Sequence, residues 1–265
     1  MRHTTIQPTT YSNYRWRGLL VAGLVLGGWG SLLAVALLGA LPWGDRLWGA
    51  GLWVALLTWA YTGVFITAHD AMHGLVAPKD PRLNHAVGWV ALGLYAGMSY
   101  GLLRGAHGDH HAYPSTGRDP DYHEPTGGGF VRWFAGFVWR YMTVWQVVVM
   151  AAAFNALHHL GDIPLSRLWA FWITPQVLST LQLFVVGTWL PHREGAFEGE
   201  GPTKARTVGL PWWGSLLACY HFGYHYEHHA WPFVPWWRLG KARAARLSGS
   251  GWGERGQESA RGVGS

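Results

Sequence analysis

The sequence predicts an all-α integral membrane protein with four transmembrane helices, a re-entrant or interfacial segment and a histidine-rich metal site on the cytoplasmic side. Three observations lead there. Charged residues are only 13% of the 265 positions while apolar ones are 49%. Several stretches of membrane-spanning length carry almost no charge. Most of the 15 histidines fall into short, regularly spaced groups at the ends of those stretches.

Residues 1–17 are polar, with Arg2, Arg15 and Arg17, and lack a signal-peptide cleavage pattern, so they read as a cytoplasmic N-terminal segment. Gly18 to Leu41 is free of charge, and as a helix would measure ~36 Å, enough to span. A short turn, Pro42 to Arg46, leads into a second uncharged run from Leu47 to Ala68 that ends at His69. Ala86 to Leu103 is apolar but glycine-rich. A further segment covers about 130–154, with Arg132 and Arg140 in its first half, where Arg140 must snorkel or find an internal partner. Leu168 to Leu190 is uncharged and broken by Pro175. Its Gln176 and Gln182 should face other helices rather than lipid. Pro211 to His221 is apolar but too short to cross. The membrane-embedded body is thus expected over 18–240. The Arg-, Gly- and Ser-rich tail 241–265 lacks periodicity and is expected to be disordered beyond its first turns.

The count of crossings follows from the histidines. If all five apolar runs crossed, the groups after residues 69 and 103 would face opposite compartments and could not share a site. If Ala86–Leu103 dips in and returns, four spans remain and both termini are cytoplasmic. Arg46 and Arg167 alone then lie in outer loops, whereas Lys79, Arg82, Arg104, Arg118, Arg193, Lys204 and Arg206 lie inside, as positive-inside topology requires. The net charge of +6 thus reflects topology and anionic headgroups, with no nucleic-acid partner implied.

Three groups carry the chemistry: His69-Asp-Ala-Met-His73, His107-Gly-Asp-His110-His111 and His225-Tyr-Glu-His228-His229. Spacings of i, i+3 and i+4 place imidazoles on one helical face, as chelation requires. Eight converging histidines exceed one ion's capacity and imply two, of iron, copper or zinc. Scattered interfacial histidines would not recur three times at the same membrane edge. His192, after the last span, is at the same face and is a ninth candidate ligand. His221 lies one turn before His225 and is either a ligand or, preferably, a hydrogen-bond partner of one. Asp119, Asp121 and His123 follow the second group, and the two carboxylates suit ligand N–H groups. His3, His85, His158 and His159 read as surface or interface residues. Asp70, Asp109 and Glu227, set between helical histidines, should project away from the metal. The single Cys219 excludes a disulfide framework and reads as a packing residue. A membrane metal transporter should place its ionisable groups near the midplane instead.

The three boxes, in their order and placement after apolar segments, resemble the membrane fatty-acid desaturase and hydroxylase superfamily over about residues 18–240. A narrower similarity is to the β-carotene ketolases. It rests on His69-Asp-Ala-Met-His73-Gly74, on His107-Gly-Asp-His110-His111-Ala-Tyr-Pro114 with Asp119-Pro-Asp121-Tyr-His123, on Gly187-Thr-Trp-Leu-Pro-His192-Arg193, and on Tyr220-His-Phe-Gly-Tyr-His225-Tyr-Glu-His228-His229. The resemblance implies two non-haem irons held by His69, His73, His107, His110, His111, His225, His228, His229 and His192. It implies O2-dependent oxidation of the C4 methylene of a β-ionone ring, in β-carotene or a related carotenoid, to a ketone. The chain shows no dinucleotide fingerprint or haem motif, so electrons would come from an external donor such as ferredoxin. The boxes alone leave a fatty-acyl desaturase or a carotenoid or alkane hydroxylase open.

Overall fold

The computed structural model describes residues 15–41, 47–122, 129–193 and 204–249; among them there are helices and connecting turns but no strand. The turn expected at 42–46, the side chain of Arg15, His123, and the segments 1–14 and 250–265 lie outside the described residues. The helices are α1 (Arg15–Leu37), α2 (Leu47–Met72), α3 (Pro81–Ala96), α4 (Tyr100–Ala112), α5 (Gly129–Tyr141) and α6 (Val144–His159). They are followed by α7 (Leu165–His192), α8 (Trp212–Cys219), α9 (His225–Ala230) and α10 (Trp236–Leu247).

Three helices, α1, α2 and α7, are long and apolar enough to cross a membrane. The glycine-rich run expected to turn back is a pair of helices, α3 and α4, bent by 103°. Local chemistry fixes both ends of that bend. Pro81 sits in the first turn of α3, where its missing N–H costs nothing, and the Asp80 side chain caps the Leu83 amide at 3.0 Å. At the other end Gly97 adopts φ 64°, and Met98 N–H reaches back to the Leu92 carbonyl at 3.1 Å, closing the helix in a left-handed turn. Ser99 then caps α4 by accepting from the Leu102 amide.

The segment expected as one helix over 130–154 is two, bent by 83°. Thr143 is the reason: its hydroxyl accepts from the Gln146 amide and the Gln146 side chain accepts from the Thr143 amide. A capping box starts a helix and cannot sit inside one. Arg140 therefore ends α5 in an exposed position and needs no internal partner.

Helix α2 is the central post, packed against α1, α3 and α7. Its buried side is continuous from Leu57 through Tyr61, Val64 and Ile66 to Ala68, all with no exposed surface. Polar residues pin α7 to α2, α3 and α8, as expected for intramembrane amides. Gln176 donates to the Tyr95 carbonyl, Gln182 donates to the Ala218 carbonyl and accepts from Thr62, and Tyr95 hydrogen-bonds Ser179 and Thr180. Two π-helical stretches, Leu168–Ile173 and Phe184–Trp189, widen α7 close ahead of Pro175 and Pro191. A wide turn accommodates a proline ring that would otherwise meet the carbonyl one turn back. The second stretch also brings Gly187 against Phe222, so closely that a Cβ there would lie 2.1 Å from the ring.

The body extends past residue 240. Helix α10 continues to Leu247 because Leu239 and Ala242 are buried and Arg246 pairs with Glu227 at 2.9 Å.

Candidate metal centre

The histidines converge from four elements. His69 and His73 come from the last turn of α2 and the residue just beyond it, His107, His110 and His111 from the end of α4, His192 from the end of α7, and His225, His228 and His229 from α9. Each local structure follows from its sequence. Asn84 on α3 accepts from the Val76 and Ala77 amides at 3.2 Å each and donates to the Ala71 carbonyl at 2.7 Å, which fastens the chain leaving the first box. Tyr220 and His221 both have left-handed backbone, φ 48° and 63°, and turn the chain sharply from α8 into α9. That strained turn is held by packing: Tyr220 stacks on Trp59 and lies so close to Gly63 that a Cβ there would meet its ring at 2.6 Å.

The side chains sort into two sets of four. One nitrogen each from His69, His73, His107 and His228 lie within 4.8 Å of one another, and so do one each from His110, His192, His225 and His229. His111 sits between the sets. Its Nε2 is 2.9 Å from that of His228, and its ring stacks on His229 at 4.3 Å. Other Nε2 atoms approach as closely: His73 to His107 at 2.8 Å, His110 to His229 at 3.0 Å and His225 to His229 at 3.1 Å. The Nε2 atoms of His69 and His192 are buried with no hydrogen-bond partner among the described residues.

Outer contacts fix ring orientation. His110 Nδ1 lies 2.9 Å from Asp119 Oδ1, and Asp119 also accepts from the Ser115 and Asp121 amides at 2.8 and 2.9 Å. Asp121 Oδ2 is 4.0 Å from the same nitrogen. His192 Nδ1 donates to the Lys204 carbonyl at 3.1 Å, with Ser115 Oγ also at 3.1 Å, which leaves Nε2 as its lone-pair atom. Of the carboxylates inside the boxes, Asp70 accepts from the Trp236 amide at 3.2 Å and Glu227 takes Arg246 and Thr207. Asp109 is exposed.

The electrostatics favour neutral imidazole in the third box, whereas at His110 burial is outweighed by the Asp119 hydrogen bond and the Asp121 and Asp119 charges, which raise the ring above the ordinary histidine value. Burial, and then the mutual repulsion of neighbouring rings, holds His225, His228 and His229 well below the ordinary histidine value. Burial alone would raise Asp119, but the hydrogen bond and charge of His110 and the two backbone amides outweigh it and keep this carboxyl low. Asp121 is pushed up by burial.

Nine histidines expected at the site from the sequence lie together here. His221 lies elsewhere: it is buried against Trp212 and Tyr224, ring centroids 5.1 and 5.3 Å away, and joins neither set of four. His158 and His159, the last two residues of α6, pack against each other with ring centroids 4.5 Å apart.

An apolar cleft opens on the first set. Phe65, Met72, Leu103, Phe137, Leu183 and Phe222 supply its walls, while His69, His107, Asp121, Tyr141 and Thr188 supply its few polar atoms. Tyr141 donates to Asp121. A second, more open cleft, reaching His73, His107 and His111 from the other side, is lined by Arg104 and Asp109. Sequence reasoning missed Tyr141, Thr188, Ser115 and Thr207. Thr188 alone had a signal, its place in the Gly187-to-Arg193 motif.

Comparison with known proteins agrees with this geometry. The family model described as fatty acid desaturase matches residues 46–144 and 137–252. A β-carotene ketolase of Paracoccus sp. (strain PC1) is 46% identical over 200 residues, covering 73% of this chain and 79% of the relative. Beta-carotene 4-ketolase 3 of Haematococcus lacustris is 37% identical over 251 residues, covering 92% and 72%. A zeaxanthin 4-ketolase of Chlamydomonas reinhardtii is 37% identical over 245 residues, covering 85% and 53%. The chain belongs to the fatty acid desaturase family, and its similar relatives within that family are carotenoid ketolases.

Proposed function

We propose that this protein is a membrane-embedded carotenoid 4-ketolase, an oxidoreductase that converts the C4 methylene of a β-ionone ring to a ketone with dioxygen and external electrons. The observation that carries the reading is the apolar cleft ending on one of two adjoining four-histidine sets, in a chain 37–46% identical to proteins named as ketolases. A long apolar hydrocarbon matches phenylalanine, leucine and methionine walls, and a bilayer supplies it laterally.

The residues fit two iron ions. The donor set is all imidazole, burial favours the neutral form of His225, His228 and His229, and two buried Nε2 atoms have no partner among the described residues. His69, His73, His107 and His228 would hold one ion, and His110, His192, His225 and His229 the other, with His111 between them. Bound iron would supply the activation of dioxygen for attack on a C–H bond. The chain itself does the rest. Asp119 and the Lys204 carbonyl fix the tautomers of His110 and His192. The apolar walls exclude water, and the cleft presents one ring of the substrate to the His69 and His107 end. Electrons come from a separate donor such as ferredoxin.

The same reading places α1, α2, α7 and the α5–α6 pair as four spans, with the bent α3–α4 pair dipping in and returning. Both termini and the histidine site are then cytoplasmic, in keeping with the clustering of Lys and Arg on that side.

The test is expression of the chain in bacteria that accumulate β-carotene, followed by chromatography and mass spectrometry of the pigments. Ketones with a methylene replaced by a carbonyl are expected. Unchanged β-carotene in cells holding folded, iron-loaded protein would overturn the substrate assignment and direct attention to fatty-acyl chains.

A further inference from the structure

A ketolase has a problem that a hydroxylase does not. The first oxidation consumes one O2, two electrons and two protons. It replaces a C–H by C–OH and releases one water. The product is an allylic alcohol, more polar than the substrate and free to leave for the bilayer interface. Ketone forms only if that alcohol stays for a second, identical oxidation at the same carbon, after which the gem-diol loses water.

The cleft contains a group of polar side chains placed to retain it. Among walls that are otherwise aromatic and aliphatic, Asp121, Tyr141 and Thr188 line the cleft together with His69 and His107. Tyr141 and Asp121 are tied to each other, Tyr141 donating, and Asp121 is held from behind by its amide on Asp119 and by Trp133 donating to its carbonyl at 2.8 Å. Thr188 differs from them. It is 7% exposed, and its hydroxyl bonds to no group among the described residues. A threonine in a helix ordinarily returns its hydroxyl to the preceding turn. Thr58, Thr62, Thr67 and Thr180 all do so here. Thr188 lies in the π-helical stretch before Pro191, and the wider turn leaves its hydroxyl without that partner.

An unsubstituted ring has nothing to offer these groups. A ring alcohol has one donor and one acceptor, and in an apolar cleft an unpaired hydroxyl is costly. We infer that Thr188, with the Asp121–Tyr141 pair, binds the hydroxyl of the singly oxidised intermediate and holds the same carbon at the histidine end of the cleft, so that ketone rather than alcohol is released. The hydroxyl donates to the Asp121 carboxylate or the Tyr141 oxygen and accepts from Thr188. This rests on the ketolase reading above and specifies which side chains make the outcome a ketone.

The test compares the full-length chain with Thr188→Val, Thr188→Ser and Tyr141→Phe in β-carotene-accumulating bacteria, reading the ratio of 4-hydroxylated to 4-keto pigment. Thr188→Val and Tyr141→Phe should each raise that ratio by about fivefold or more, the factor that loss of one neutral hydrogen bond carries. Thr188→Ser should restore ketone. With the alcohol itself supplied to membranes, Thr188→Val should raise KM for the alcohol more than for β-carotene. Lower total yield with an unchanged ratio would overturn the inference, and so would complete loss of both products in Thr188→Val and Tyr141→Phe at normal iron content. If the unaltered chain makes no ketone, the functional reading itself fails.

Discussion

His110 and Asp119 face each other across 2.9 Å, ring Nδ1 to carboxylate Oδ1, while the other ring nitrogen of His110 points into the second set of histidines. One carboxylate therefore decides which nitrogen of a buried ring carries the proton and which offers its lone pair. The same Asp119 gathers the Ser115 and Asp121 amides, so it orders the loop after α4 as well as the ring.

Asp119→Asn keeps the shape of that contact but removes the charge, and its amide can turn an N–H toward His110. We expect metal affinity to fall by about 10–100-fold, as for other partners of metal-bound histidines, with the helical content unchanged. Metal titration monitored by iron analysis and circular dichroism would check this. Unaltered affinity would mean that His110 is oriented by packing alone.

His192 and His221 separate two ways of being a buried histidine. His192 lies among His110, His225 and His229 with an Nε2 that has no partner among the described residues, whereas His221 stacks on Tyr224 and packs at a tilt against Trp212. His192→Ala should lose about half of the bound iron together with activity. His221→Gln should retain the full iron complement and lose thermal stability instead. Equal iron loss in both would show that the strained turn at Tyr220 and His221, rather than ligation, governs loading.

The legible parts of this protein were those with local signatures. The i, i+3, i+4 spacing of the histidines gave the site, and the need for the first two groups to share one membrane face gave the returning segment over Ala86–Leu103, whose bend is made locally by Gly97 and Ser99. The break at Thr143 was equally local, since Thr143 and Gln146 have capping-box spacing, but the surrounding hydropathy masked it. Cleft residues were not legible. Tyr141 and Thr188 come to line one cleft through tertiary packing of α5 against α7, and the π-helical register that frees Thr188 has no sequence marker beyond the following proline. The sorting of the boxes across both sets, with His228 in one and His225 and His229 in the other, is likewise a product of packing.

Glu227 lies inside the third box and is fully buried, with Arg246 of α10 at 2.9 Å and Thr207 as its second donor. Removing the cation leaves a buried carboxylate nearly unpaired, which costs about 3 kcal/mol or more. Because the Arg246 side chain is 32% exposed, the lower end of that range applies. Arg246→Met should lower the melting temperature by several degrees and loosen iron binding. Adding Glu227→Gln should recover most of the loss. A single variant as stable as the parent would show that Thr207 and water suffice for this carboxylate.

Acid should act on the metal-free protein through the histidines themselves. Burial holds His225, His228 and His229 well below their ordinary value of 6.5. Below that pH the unfolded chain takes up protons at these rings while the folded chain does not. The folded state's depressed values therefore contribute stability that is full above pH 6.5 and is lost progressively as the pH falls toward them. Chelator-treated protein in detergent should show a melting temperature that declines steadily below about pH 6.5, with a slope of more than one proton. Iron-loaded protein should resist the same acidification further, because bound metal competes with protons for the same nitrogens. Melting curves that stayed flat from neutral pH to well below the ordinary histidine value in the metal-free form would mean that the rings are hydrated rather than buried once the metal is gone.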